Sequence, residues 1–210
     1  MAAEAGQQLI GIHKLSFGDR KNIADTVMNL LEEILQVCHE QQRPAVLHLV
    51  AHIHAETGLL VLHEQQQQQL QGHESLHHFH KSLQIYRDLS INTGRHILVQ
   101  PLTSLANALC TQKYFIQAFP VYEEAIRIAE TVLGSKHESL AGHYLNFGIS
   151  KVQAGHYIEA AVLLRKSIYI FDTNVDANGD ANARIRSRDS EAYKRAEAFL
   201  QMAINNEGVI

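Results

Sequence analysis

The chain has 210 residues, 46% of them apolar, and a net charge of −4 with histidine neutral. That length supports one domain or one array with a sizeable core, and the lack of a basic excess argues against a nucleic-acid partner. The start MAAEAGQQLIGIHKLSF has no basic stretch leading into an apolar run, no unbroken apolar stretch is long enough to span a bilayer, and Cys38 and Cys110 show no metal or disulfide spacing; the expectation is a cytoplasmic protein of a reducing compartment, without leader or membrane span.

Residues 1–18 read as a loose lead-in, closed by Gly18-Asp19, which can cap a helix. Over residues 20–42, Ile23, Val27, Leu30, Leu31, Ile34, Leu35 and Cys38 recur at spacings of three and four, the stripe of one helix. Pro44 suits the first turn of the next helix. That helix keeps its apolar period onward, with Gly58 as a break. The glutamines at 65–69 form its solvated side, and Gly72 ends it. Residues 73–90 predict another helix with Leu76, Phe79, Leu83, Ile85 and Leu89 apolar, and Asn92-Thr93-Gly94 is a turn.

The stretch 97–172 then reads as two copies of one unit, 42 residues apart. Leu98 falls on Leu140, Ile116 on Ile158, Ala118 on Ala160, Ile126 on Ile168 and Ile128 on Ile170. Large, small and aromatic positions agree as well: Leu102 with Tyr144, Ala106 with Gly148, Phe115 with Tyr157. Each copy predicts a first helix (97–112 and 138–153), a tight turn and a second helix (115–133 and 157–172). A repeat of this period means a stacked helical array. Residues 173–187 are polar and without period, a linker. A calcium loop starting at Asn174 fails, because its twelfth position is Ile185 where a glutamate is needed. A last helix, 188–205, carries Ala192, Ala196, Phe199, Leu200 and Ala203 on one side and would cap the final repeat.

The repeat unit resembles the tetratricopeptide repeat. Tyr144, Phe147, Gly148, Gly155, Tyr157, Ala160, Leu164 and Ser167 stand at its signature places, matched in the preceding copy by Leu102, Leu105, Ala106, Lys113, Phe115, Ala118, Tyr122 and Ala125. The 42-residue period, the Leu133-Gly134 joint and Pro120 after Ala118 look like the repeats of kinesin light chain. A degenerate copy extends over 57–90, where Leu59, Leu62, Leu70, Phe79, Ser82 and Ile85 echo the pattern. The resemblance implies an all-α right-handed solenoid over 19–172, with clear repeats at 97–133 and 138–172. It also implies a non-catalytic scaffold that binds a peptide or helix of another protein on the concave face. Gln100, Ser104, Asn107, Asn146 and Gln153 would line that groove beside the apolar Leu145 and Ile149. Asn146 stands where such repeats place an amide that bonds a peptide backbone, since an amide offers donor and acceptor together. Open ends of the array also offer a route to self-association.

One motif points elsewhere. His73-Glu74-Ser75-Leu76-His77 fits HExxH, whose histidines share a helix face and could hold zinc with Glu74 as general base. No third ligand follows at the spacing of the extended motif, and the segment falls on a scaffold helix. A zinc metalloprotease is therefore the alternative reading, with adventitious zinc capture by His73, His77 and His80 beside it. The adaptor reading needs no cofactor and no metal.

Overall fold

The computed structural model describes residues 16–68, 73–176 and 190–207, all helix, turn or bend. Two compact units divide the chain, one up to Thr93 and the other from Gly94.

The first unit holds α1 (Phe17–Val37), α2 (Arg43–Gln67) and α3 (Glu74–Thr93). Ser16 caps α1 by accepting from the Asp19 amide at 3.2 Å. Gly18 and Asp19 therefore belong to the first turn and do not precede it, and Asp19 there suits the positive end of the helix. The helix stops at Val37, short of residue 42, because Cys38 is extended. Pro44 lies in the first turn of α2, where its missing N–H costs nothing.

Gly58 does not break α2, which runs through to Gln67. Its lack of a side chain serves packing: a Cβ there would lie 3.1 Å from the ring of Phe79 on α3. Leu59, expected inside, is exposed. Leu70, expected in the same echo over 57–90, and Gly72 lie outside the described residues. α2 is also long and apolar enough to cross a membrane by length and composition. His48, His52, His54 and His63 interrupt its apolar run. In this unit Val50, Ala51, Val61 and Leu62 are buried, and α2 packs on α1 and α3.

The second unit opens with a 3-10 turn (Arg95–Leu98) and continues as α4 (Val99–Thr111), α5 (Phe115–Leu133), α6 (Ser139–Gln153), α7 (Tyr157–Asp176) and α8 (Glu191–Glu207). α4 pairs with α5, α6 with α7, and α8 packs on α7 and α6. The two pairs close their turns identically. Tyr114 N–H reaches Leu109 O at 2.8 Å and Lys113 N–H reaches Cys110 O at 2.9 Å; His156 reaches Lys151 O and Gly155 reaches Val152 O at 2.9 and 3.0 Å. This is the Schellman arrangement, which needs a left-handed residue next to last. Gly155 supplies it freely at φ 82°, and Lys113 adopts it at φ 64°. α7 runs four residues past the expected end, so 173–176 are helical and the rest of the expected linker lies outside the described residues.

Four of the five residues identical between the copies are core residues: Leu98/Leu140, Ala118/Ala160 and Ile128/Ile170 are buried, and Ile126 is buried with Ile168 packed against the core. Gly148 has the tightest approach, since a Cβ there would stand 2.7 Å from Leu164 Cγ. The fifth identity, Ile116/Ile158, is exposed. Pro120, inside α5, falls within its first two turns and leaves the helix unbroken.

Candidate protein-interaction surface

The first helices of the two pairs, α4 and α6, are joined by a polar tie. Thr103 Oγ1 donates to Val99 O at 2.8 Å, which leaves it to accept from His143 Nδ1 at 3.1 Å. Burial lowers the His143 imidazole below its ordinary value, so it stays neutral and keeps the tie near neutral pH. Nothing in the sequence marked this histidine, because its partner lies 40 residues away.

Gln100 is exposed and its amide reaches Ser104 Oγ at 3.5 Å; Ser104 is half-buried. Asn146 is half-buried and Gln153 exposed. Asn107 turns inward, where its Oδ1 accepts from the Tyr122 hydroxyl of α5. Ser150 of α6 donates to that same hydroxyl at 3.2 Å. The three side chains form an interior network that fixes how α4, α5 and α6 meet. Burial pushes both the Tyr122 hydroxyl and the neighbouring Cys110 thiol well up, so neither ionises near neutral pH and Cys110 lacks the thiolate a nucleophile needs. Leu145 and Ile149 correct the expected groove: both are buried in the cluster that α8 closes with Ala196, Ala203, Phe199 and Leu200. The polar row available on α4 and α6 is therefore Gln100, Ser104, Asn146 and Gln153.

A second concave feature lies on the side of the second helices. A cleft of about 440 Å³ opens between α5 and α7 over α6, and none of the five expected residues lines it. Ile126, Phe147, Ile158, Val162 and Leu163 make its apolar surface. Lys151 lies at its base, 6% exposed. Its Nζ bonds Glu159 Oε2 at 2.6 Å and sits 3.8 Å from the Phe119 ring centre. A buried ammonium needs such a carboxylate and aromatic faces to offset lost hydration. The Lys151 bond, with a second from His156, holds the exposed Glu159 carboxyl below its ordinary value.

In the other unit the HExxH segment lies at the N-terminal end of α3. His73 precedes α3, and Glu74 is its first residue, ion-paired with Lys21 of α1. Among the described residues no three histidine, cysteine, aspartate or glutamate side chains are placed to hold a metal ion. A neighbouring pair does assemble: His54 Nδ1 of α2 meets His78 Nδ1 of α3 at 3.1 Å.

Residues 97–172 match the family model described as tetratricopeptide repeat. Among solved structures, the crystal structure of BtubC (BKLC) from P. vanneervenii is 14% identical, with 93% of this chain and 92% of that chain covered and a TM-score of 0.42. No curated protein matches the chain. Helix pairs of matching turn geometry, packed through small residues at their crossings, make up residues 97–172, the span of this chain that is similar to the tetratricopeptide repeat.

Proposed function

We propose that this chain is a non-catalytic adaptor that holds a peptide or helical segment of another protein on the face lined by α4 and α6. Tetratricopeptide repeats mediate protein–protein interaction, and the match over 97–172 carries the reading. Gln100, Ser104, Asn146 and Gln153 are the contacts: exposed or half-buried amides and a hydroxyl that can bond an extended or helical backbone. Asn107 acts one layer behind them by fixing α5 against α4. Free Cys38 and Cys110 suit the cytoplasm. The cleft over Lys151 is a second binding position on the same repeats, favoured by its apolar lining and by the exposed Ile158 and Val162.

Affinity capture with the intact chain, with Asn146→Ala plus Gln153→Ala, and with Val162→Glu tests both positions. Loss of the captured partners with the double variant, and retention with Val162→Glu, is the expected outcome. The reverse pattern moves the site to the cleft. Partners unchanged in all three remove both assignments.

A further inference from the structure

Lys151 stands at a place where the fold does not need a charge. In the preceding copy, 42 residues earlier, the matching residue is Leu109, which is 3% exposed. An apolar side chain fills this position in one helix pair and an ammonium fills it in the next. Burying an ammonium is costly even when it is paired, so a charge at the base of a cleft points to use of that cleft. Of its three donors, Nζ uses one among the described residues, on Glu159 Oε2. The ring centres of Phe119 and Phe147 lie 3.8 and 5.2 Å from it.

The Lys151–Glu159 pair is unequal. The lysine side chain is 7% exposed and the glutamate side chain 59%. Glu159 Oε1 also meets His156 Nδ1 at 3.2 Å, so the carboxylate keeps a partner and solvent if it leaves the ammonium. The ammonium, enclosed at the base, has no such freedom. Elsewhere the charges of the lining cancel, Glu123 and Glu130 against Arg127 and Lys166. An incoming molecule therefore meets one buried cation under an apolar wall of Ile126, Ile158, Val162 and Leu163. The volume, about 440 Å³, lies in the range of small-ligand sites.

We propose that this cleft takes a medium-chain aliphatic carboxylate. Its head replaces Glu159 on Lys151 Nζ, and its tail lies along the apolar wall towards Ile158 and Val162. The exchange swaps one carboxylate for another on the same ammonium, so it is close to neutral electrostatically, and the tail taken out of water supplies the affinity. A cationic head would set a second positive charge against the buried ammonium. A neutral head would leave the Lys151–Glu159 pair closed beneath it. This occupancy rests on the reading of the cleft as a binding position.

Amide chemical shifts of the full chain, followed by heteronuclear NMR at pH 7.5 during titration with octanoate, octanol and octylamine, test this. Octanoate should shift residues 147–151 and 158–163 with a dissociation constant below about 1 mM. It should bind at least about tenfold tighter than octanol, and octylamine should leave those residues unmoved. Glu159→Gln, at an exposed position, keeps the fold and tightens octanoate about twofold to fivefold, because the competing carboxylate is gone. Lys151→Met puts an apolar side chain where the preceding copy has Leu109, and drops octanoate to the level of octanol or below. Should Lys151→Met not fold, the octanoate–octanol ratio and Glu159→Gln still decide. Octanol binding as tightly as octanoate, or octanoate unchanged or weakened by Glu159→Gln, overturns the carboxylate assignment and leaves the cleft as an apolar position. Residues 147–151 and 158–163 unmoved by all three molecules overturn it together with the cleft reading, and leave the α4–α6 face untouched.

Discussion

The α2–α3 hairpin and the α6–α7 hairpin use one crossing device with different contents. In each, a glycine of the first helix faces a large side chain of the second: Gly58 against Phe79, Gly148 against Leu164. Four residues before each glycine stands a buried ring, His54 in one and Tyr144 in the other. Four residues before each large side chain a small residue is fully enclosed, Ser75 or Ala160; three residues after it stands Ser82 or Ser167. The repeat geometry therefore recurs where the sequence is least recognisable. The difference lies in which polar groups are enclosed: His54, Thr57, Ser75 and Ser82 in one hairpin, Ser150, Lys151 and Ser167 in the other. Geometry is set by side-chain size at the crossings, and response to solvent conditions by what else is enclosed.

The largest consequence is acid sensitivity concentrated in the first hairpin, where His54, His78 and His80 are all lowered against His143 alone in the second. His54 and His78 share one hydrogen bond, so one Nδ1 donates and the other accepts. Burial first, then His78, Lys81 and His77, hold His54 at about 4. Burial also lowers His78 despite the opposing charges of Glu74 and Asp25. Both folded values lie below the unfolded one, so the unfolded chain binds more protons as pH falls. This contribution is complete above about 6.5 and is lost on descent towards 4, by up to about 3 kcal/mol for His54. Amide hydrogen exchange at pH 7.5 and 5, corrected for intrinsic rates, should show protection falling more in residues 43–93 than in 139–176, where His143 alone is lowered. Equal losses in both hairpins would trace the acid effect to carboxylates. Replacing the pair by His54→Phe with His78→Leu should flatten the pH dependence of the first hairpin.

The shared glycine device can itself be broken unequally. A Cβ at Gly148 would stand 2.7 Å from Leu164 Cγ, a branch atom of a fully enclosed side chain that has nowhere to move. Gly148→Ala should cost about 1–3 kcal/mol, the overpacking penalty reduced by the helix preference of alanine. At Gly58 the nearest atoms are the Phe79 ring edge at 3.1 Å, a contact relieved by a few tenths of an ångström. Gly58→Ala should fall within about 1 kcal/mol of neutral, because alanine regains roughly that much in helix propensity. Urea unfolding of the two variants, with equal slopes checked, measures the difference.

How far these features could be read from residues follows from the same comparison. The pairs over 97–172 were legible because large and small side chains recur at fixed spacing in both copies, and the short turns leave little freedom in register. The α2–α3 hairpin was blurred for two reasons. Its connection over 68–73 is longer than that over 154–156, which shifts the register of the first helix. Gly58 also carries the same sequence signal whether it breaks a helix or lets another helix approach. For the interaction surface, spacing placed Gln100, Ser104, Asn146 and Gln153 on exposed or half-buried positions. It could not foresee that Asn107 satisfies Tyr122, since a buried hydroxyl chooses its partner across helices. Leu145 and Ile149 looked open because α8, which covers them, lies beyond a stretch without period.

The smallest contrast separates size from hydrogen bonding at one position of the two hairpins. Ser167 donates to Ala141 O at 2.8 Å, joining α7 to α6 in a fully buried place. Ser82, at the matching place of α3, is equally buried, and its Oγ has no partner among the described residues. Both serines are small enough for the crossing, so alanine preserves the packing in each. Ser167→Ala should then cost about 1 kcal/mol, the net worth of one bond, since Ala141 O keeps its place in the α6 helix ladder. Ser82→Ala removes a hydroxyl that gains nothing from its enclosure and should be neutral or stabilising by a few tenths of a kcal/mol. Thermal melting of the two variants at pH 7.5, where His54 and His78 are neutral, measures the contrast without the acid effect. If Ser82→Ala costs as much as Ser167→Ala, the first hairpin satisfies that hydroxyl after all, and the two crossings do not differ at this position.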